Sequence, residues 1–196
     1  MQARPKEIQA FIDAARVLFA AETLSEEARA LAVEVFSRLD QHGDFRFDKR
    51  ERFPACEWLD QALEPYLSAQ DAFGQVARSI KALEPFIGWF RRTTVANASD
   101  NFLEGHANGM ICGPGGIEDR PDLQLGLLVM KPDVRYPDHS HPPEEAYVLM
   151  SSGQFRKDRG PWLSPGIGGG IHNAPGAVHA VRSDDNPLLT LWCLKM

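Results

Sequence analysis

The hydrophobic pattern of this chain changes period once, near Thr93, and that change bounds what the chain can fold into. Before it, apolar residues recur at the three-and-four spacing of an amphipathic helix. After it they alternate in short runs punctuated by Gly, Pro, Asn and Asp, the pattern of an all-β unit. The first stretch predicts a helix from Pro5 to about Glu22, with Ile8, Phe11, Ile12, Ala15, Val17, Leu18 and Phe19 at helical spacing and Glu7 in the first turn, where the helix dipole favours an anion. Ser25, followed by Glu26 and Glu27, predicts the N-cap of a second helix that stops near His42-Gly43. A third helix is expected from near Pro54, carrying Trp58, Leu59, Leu63 and Tyr66, and a fourth from about Ser68 to Leu83, with Pro85 to Phe90 as its short apolar tail. Strands are expected at Asn101–Ile111, Leu123–Lys131, Glu145–Ser151, Gln154–Arg156, Ile167–Ile171, Val178–Arg182 and Leu188–Lys195. The expected architecture is therefore α+β: a helical N-terminal region over residues 1–94, then one sandwich or small barrel over 95–196.

Charge and cysteine usage narrow the function. A net charge of −6 with no basic run gives nucleic-acid binding little electrostatic support. A cationic small molecule suits this balance better than a polyanion. Cys56, Cys112 and Cys193 are widely spaced and odd in number, which predicts reduced thiols packed as small apolar residues in a cytoplasmic protein. Neither a signal-type apolar core nor a membrane-length apolar run is present in the sequence, so no membrane partner is expected.

Chemistry concentrates between Tyr136 and Tyr147, Tyr-Pro-Asp-His-Ser-His-Pro-Pro-Glu-Glu-Ala-Tyr. His139 and His141 are two apart, so in an extended strand both imidazoles project to one face; Glu145 and Tyr147 form a second such pair. Pro142 and Pro143 interrupt the strand between the two pairs. Two readings suit these residues, a divalent-metal site and a solvated polar turn. Further on, Pro175-Gly176-Ala177-Val178-His179 is a turn entering a strand and offers a fourth ligand. By contrast, Gly166-Ile167-Gly168-Gly169-Gly170 lacks the Lys and Ser of a phosphate loop and is read as a turn.

This combination resembles the cupins, small β-barrels whose two motifs read H-x-H-x(3 or 4)-E-x(6)-G and G-x(5)-P-x-G-x(2)-H-x(3)-N. His139, His141 and Glu145 match the ligands of the first motif and His179 that of the second, with Gly169 and Pro175 correctly separated. Departures fall in turns: Gly153 comes one residue late, Gly176 directly follows Pro175, Asp133 stands where the first motif has its leading Gly, and Ser183 replaces the final Asn. The resemblance covers roughly the last hundred residues. It implies a jelly-roll type barrel holding one divalent or trivalent transition metal, zinc foremost, with iron, manganese, cobalt or nickel also compatible.

More closely, Tyr136-Pro137, the ligand set and Tyr147 within Glu-Glu-Ala-Tyr-Val-Leu are similar to the cupin dimethylsulfoniopropionate lyases of the DddQ type, which carry a helical region before one barrel. That resemblance implies β-elimination of dimethylsulfoniopropionate to dimethyl sulfide and acrylate. Tyr147 would be the general base, and the substrate a small sulfonium, with a homodimer compatible. An unperturbed tyrosine has a pKa of about 10, and a nearby metal is the means of lowering it. Tyr136, Trp162 and Trp192 are the aromatic residues expected to face the cation, and Tyr136 serves alternatively as a second proton-transfer group. The ligands alone leave open an iron-dependent dioxygenase of a thiol or diketone, and a non-catalytic small-molecule-binding cupin.

Overall fold

A computed structural model describes residues 3–196. Helix α1 (Lys6–Phe19) forms on the predicted stripe; it buries Ile8, Phe11, Ile12, Ala15, Leu18 and Phe19, while Val17 points outward. Helix α2 (Glu26–Arg38) starts where Ser25 predicts, the Ser25 hydroxyl accepting from the Ala28 N–H at 3.3 Å. A two-residue strand β1 (Asp44–Phe45) follows, in a stretch with no readable period. The helix expected from Pro54 is broken into 3-10 turns around α3 (Leu59–Leu63). Pro65, lacking an N–H and crowding the preceding turn, accounts for the stop. Helix α4 (Ala72–Leu83) begins later than Ser68 because the Asp71 carboxylate caps it, accepting from Gly74 N–H at 2.9 Å.

The expected apolar tail after α4 is instead strand β2 (Gly88–Phe90). The strand expected from Asn101 opens as one helical turn, α5 (Phe102–Gly105), before β3 (His106–Cys112). The remaining strands are β4 (Glu118–Asp119), β5 (Leu123–Met130), β6 (Glu144–Leu149), β7 (Gln154–Lys157), β8 (Gly170–Asn173), β9 (His179–Arg182) and β10 (Leu188–Lys195). The glycine run before β8 is a turn, with Gly166 and Gly168 at φ of +79° and +77°. Asp133, standing where a cupin has glycine, takes φ of +56°, a left-handed conformation that aspartate tolerates better than most side chains.

The large sheet runs β1-β4-β3-β5-β10-β6-β8, with β2 added to β3, and the small sheet pairs β7 with β9. The segment 135–139 lies antiparallel beside β9 through the pairs Arg135–Arg182 and His139–His179. The two sheets face each other across Met110, Leu128, Leu149, Phe155, Val181, Leu188 and Trp192, closing a barrel. The outer face of the large sheet packs on the helices, and Leu125, Leu127, Val148, Leu189 and Leu191 share one core with Ile12, Leu31, Val35, Leu63 and Ile80. A buried carboxylate reinforces the join: Glu118, fully inaccessible, is bonded by Arg4 at 2.7 Å and Arg120 at 3.2 Å. All three cysteines are buried and free, and burial raises each thiol, Cys56 to about 11, so none is a ready nucleophile. None of the described helices is long and apolar enough to cross a membrane.

Candidate metal centre

At the mouth of the barrel, His139 and His179 sit directly opposite each other on adjacent strands. Each backbone N–H donates to the other's carbonyl, at 3.0 and 2.8 Å. Their rings are 4.2 Å apart, and the His141 ring is 5.0 Å from that of His179. One nitrogen from each of the three lies within 4.8 Å of the others, so the trio forms a group able to hold a metal ion. Glu145, placed on the inner face by the alternation of β6, brings its Oε2 to 3.1 Å from His141 Nε2 and 3.2 Å from His179 Nε2.

The tautomers follow from the backbone. His139, His141 and His179 each place Nδ1 2.9 Å from a carbonyl, of Pro137, Pro143 and Ala177 respectively. A carbonyl only accepts, so each Nδ1 carries a proton and Nε2 is the atom left to ligate; those of His141 and His179 face Glu145. Two imidazole nitrogens this close to a carboxylate require a cation or extra protons among them. The buried His179 Nε2 has no hydrogen-bond partner, the orphan that a metal would satisfy. Burial, then the neighbouring His179, depresses the His139 pKa to about 4, keeping that ring neutral and able to ligate. Burial alone would raise the Glu145 carboxyl, but the two facing imidazoles, acting as donors when they carry those extra protons, outweigh it and hold it at about 2. His141 shows the reciprocal effect: burial lowers it, and the Glu145 carboxylate more than reverses this. Asn173, opposite Glu145 across the β6–β8 pairing, donates its amide to the same carboxylate oxygen at 3.2 Å.

A cavity of about 140 Å³ opens beside these ligands, lined by Phe90, Arg92, Asn108, Tyr136, Tyr147 and Trp192 among others. That is below the 300–1,000 Å³ of drug-sized sites and suits a small substrate. Tyr147 lies on the same face of β6 as Glu145, 5 % exposed, its ring 6.5 Å from that of His179. Burial, with the Glu145 charge and Tyr136 adding to it, pushes its phenol well above its ordinary value. Tyr136 packs 4.8 Å from the His139 ring and edge-on to Phe102 and His106; burial raises its phenol as well.

Of the three aromatic residues expected around a cation, Tyr136 and Trp192 reach the cavity and Trp162 does not. Its loop folds back on β7 through the Phe155–Leu163 pair, and its ring is covered by Arg182, Arg156 and Arg135 at 4.3, 5.0 and 6.0 Å. Phe90 takes a place at the cavity, edge-on to Trp192 with centroids 6.5 Å apart. Phe90, Arg92, Asn108 and Asn173 carry no sequence signal of their own. They reach the site through the β2–β3 and β6–β8 registers, which a single sequence does not display.

The model of the DMSP (dimethylsulfoniopropionate) lyase family matches residues 27–190, most of the chain. The chain belongs to the dimethylsulfoniopropionate lyase family. Among curated members of that family, the dimethylsulfoniopropionate lyase DddQ of Ruegeria pomeroyi is 30% identical over 95 residues, a match spanning 47% of each chain, so about half the length of that relative. The crystal structure of DddQ from the same bacterium superposes with a TM-score of 0.76 at 22% identity, covering 97% of this chain and 91% of the other. A structure from a study of the DMSP lyases RdDddP and RnDddQII gives 0.71 at 24% identity, covering 97% and 92%. These likenesses extend over the helices as well as the barrel, and they show that the fold is shared.

Proposed function

We propose that the chain is a metal-dependent lyase that cleaves dimethylsulfoniopropionate to dimethyl sulfide and acrylate. The observation that carries this reading is the convergence of three tautomerically fixed Nε2 atoms and Glu145 beside Tyr147, in a member of this lyase family. His139, His141, Glu145 and His179 are the residues that would hold the metal, and zinc suits three imidazoles and a carboxylate. A bound divalent ion would supply positive charge to stabilise the negative charge growing on the substrate carboxylate, and would draw the Tyr147 phenol down from its raised value.

Tyr147 accepts the proton from the carbon next to the carboxylate. The electron pair left there forms the new C=C bond as the C–S bond breaks, and the sulfur departs with its pair as neutral dimethyl sulfide, so no acid is needed. The barrel wall holds water away from the phenol. Trp192 and Tyr136 offer ring faces to the sulfonium, each cation–π contact contributing about 0.5–2 kcal/mol. Tyr136, whose hydroxyl is 3.5 Å from the Asn108 amide nitrogen, is assigned here to holding the cation rather than moving a proton.

The test is headspace chromatography with purified, zinc-loaded protein and dimethylsulfoniopropionate, with acrylate quantified in solution. Equal yields of the two products are expected. Release of neither product by metal-loaded, folded protein removes the assignment.

A further inference from the structure

The cavity contains a positive charge that the ligand set does not explain. Arg91 and Arg92 follow β2 directly, and the fold treats them differently. Arg91 is engaged in structure: its Nη1 donates to Leu103 O at 2.9 Å and Glu104 Oε1 at 3.2 Å, and its guanidinium lies over Phe53. Arg92 lines the cavity, and its buried Nε has no partner among the described residues; none of the hydrogen bonds or ion pairs there uses its guanidinium. Its backbone is nevertheless held firmly. The Arg92 N–H donates to His106 Nε2 at 3.1 Å, and His106 Nδ1 in turn donates to Phe102 O at 2.6 Å, with the His106 ring stacked on Phe102 at 3.8 Å. An anchored backbone carrying an unpaired guanidinium is the arrangement of a ligand-binding arginine.

Among the described residues, the only carboxylate lining the cavity is Glu145, already turned to the histidines. The Arg92 guanidinium therefore brings a positive charge to this cavity that no carboxylate there pairs with. An anionic group is favoured there. The half-exposed Phe90 and the Trp192 indole present aromatic surface from the same cavity.

We propose that Arg92 receives the carboxylate of the substrate, so that a zwitterion enters with its anionic end toward Arg92 and its cationic end against the aromatic wall of Tyr136, Phe90 and Trp192. This deepens the lyase reading and rests on it for the identity of the zwitterion. The preference for a short carboxylate stands on the cavity itself. A guanidinium grips a carboxylate through two parallel N–H bonds, which also fixes the rotation of the chain that follows and hence which hydrogen faces Tyr147.

The test is calorimetric titration of zinc-loaded wild type, Arg92→Gln and Arg92→Lys with propionate, a three-carbon carboxylate without a cation, and with trimethylsulfonium, a cation without a carboxylate. Loss of a charge-assisted pair is expected to weaken propionate by about tenfold or more in Arg92→Gln, with a smaller loss in Arg92→Lys, which keeps the charge without the fork. Trimethylsulfonium binding and zinc stoichiometry should stay unchanged in both. The Michaelis constant for dimethylsulfoniopropionate should rise in parallel with the propionate constant. Propionate binding within about twofold of wild type in Arg92→Gln, or no propionate binding by wild type, overturns the proposal. Should wild type release no dimethyl sulfide while propionate binding still depends on Arg92, the lyase reading falls and the carboxylate site stands.

Discussion

Strands β5, β6 and β10 together form a sheet with two chemically different faces. Toward the helices they place Leu125, Leu127, Ala146, Val148, Leu189, Leu191 and Cys193, apolar side chains in one continuous core. Toward the barrel, β6 and β10 place Glu145, Tyr147, Thr190 and Trp192, while β5 places the apolar Leu128 and Met130. A residue shifted by one position would exchange these sets, so strand register decides both stability and chemistry here. The outer face keeps its polar groups to its rim, where Lys195 pairs with Glu34 and Glu144 with His172. The inner face gathers buried atoms without partners: Trp192 Nε1, and against Glu145 the atoms Asn173 Oδ1 and His179 Nε2. Orphaned polar atoms cost stability; these three and Arg92 Nε gather at the candidate site, while Arg50, Glu84, Trp89 and Arg135 carry others elsewhere.

Exchanging properties between the faces tests this contrast, and the largest effect is expected at the inner face. His179→Ala removes one imidazole of the trio able to hold a metal. It should lower metal affinity by more than the roughly 10–100-fold typical of a supporting residue. Turnover should vanish with the metal, while far-ultraviolet dichroism remains that of the folded chain; metal analysis after dialysis reads the outcome. Tyr147→Phe should retain metal and lose about 10²–10⁴ in turnover, the range for removal of a general base. Full activity in that variant would exclude Tyr147 as the base.

The reverse pattern is expected from the outer face. Leu191→Ala, a truncation at a fully buried position, should cost about 2–5 kcal/mol in urea denaturation. Metal stoichiometry of its folded fraction should be that of wild type. Asn173→Ala is intermediate: freeing the Glu145 carboxylate should weaken metal by about 10–100-fold with little change in fold, measured by chelator competition.

The smallest effect is a slope. His106 is held by burial at a pKa of about 4 against an ordinary 6.5. Between those values the unfolded chain binds the proton and the folded one does not, so stability falls as pH drops through that window. The contribution is at most about 1.4 kcal/mol per pH unit. His106→Gln, which keeps an acceptor for the Arg92 N–H, should flatten the metal-free stability profile between pH 6.5 and 4 by that amount.

Much of this contrast is legible in the chain. The alternation Glu145-Ala146-Tyr147-Val148 already assigns two residues to each face, and the H-x-H spacing of His139 and His141 places both rings together. The stripe of α1 and the Ser25 cap are likewise local and were readable as such. Val17 was readable only as apolar; its outward position depends on the rotation of α1 against its neighbours. The short strands β1, β2 and β4 had no period to read, because two or three residues are fewer than an alternation needs. Trp162 and Trp192 looked equivalent as aromatic residues, and their partners separated them, one under three arginines and the other in the cavity.

By itself, the sequence determined the helical and β segments, the ligand spacing around His139 and the parity of Glu145 with Tyr147, since each depends on periods of two or 3.6 residues that operate between neighbours. Tertiary structure alone decided that β2 would carry Phe90 and Arg92 from the helical half to the barrel mouth, that Asn173 would brace Glu145, and that His139 would pair with His179. These depend on strand register across long separations in the chain, where hydrogen bonds between backbones, rather than the spacing of side chains, choose which residues meet.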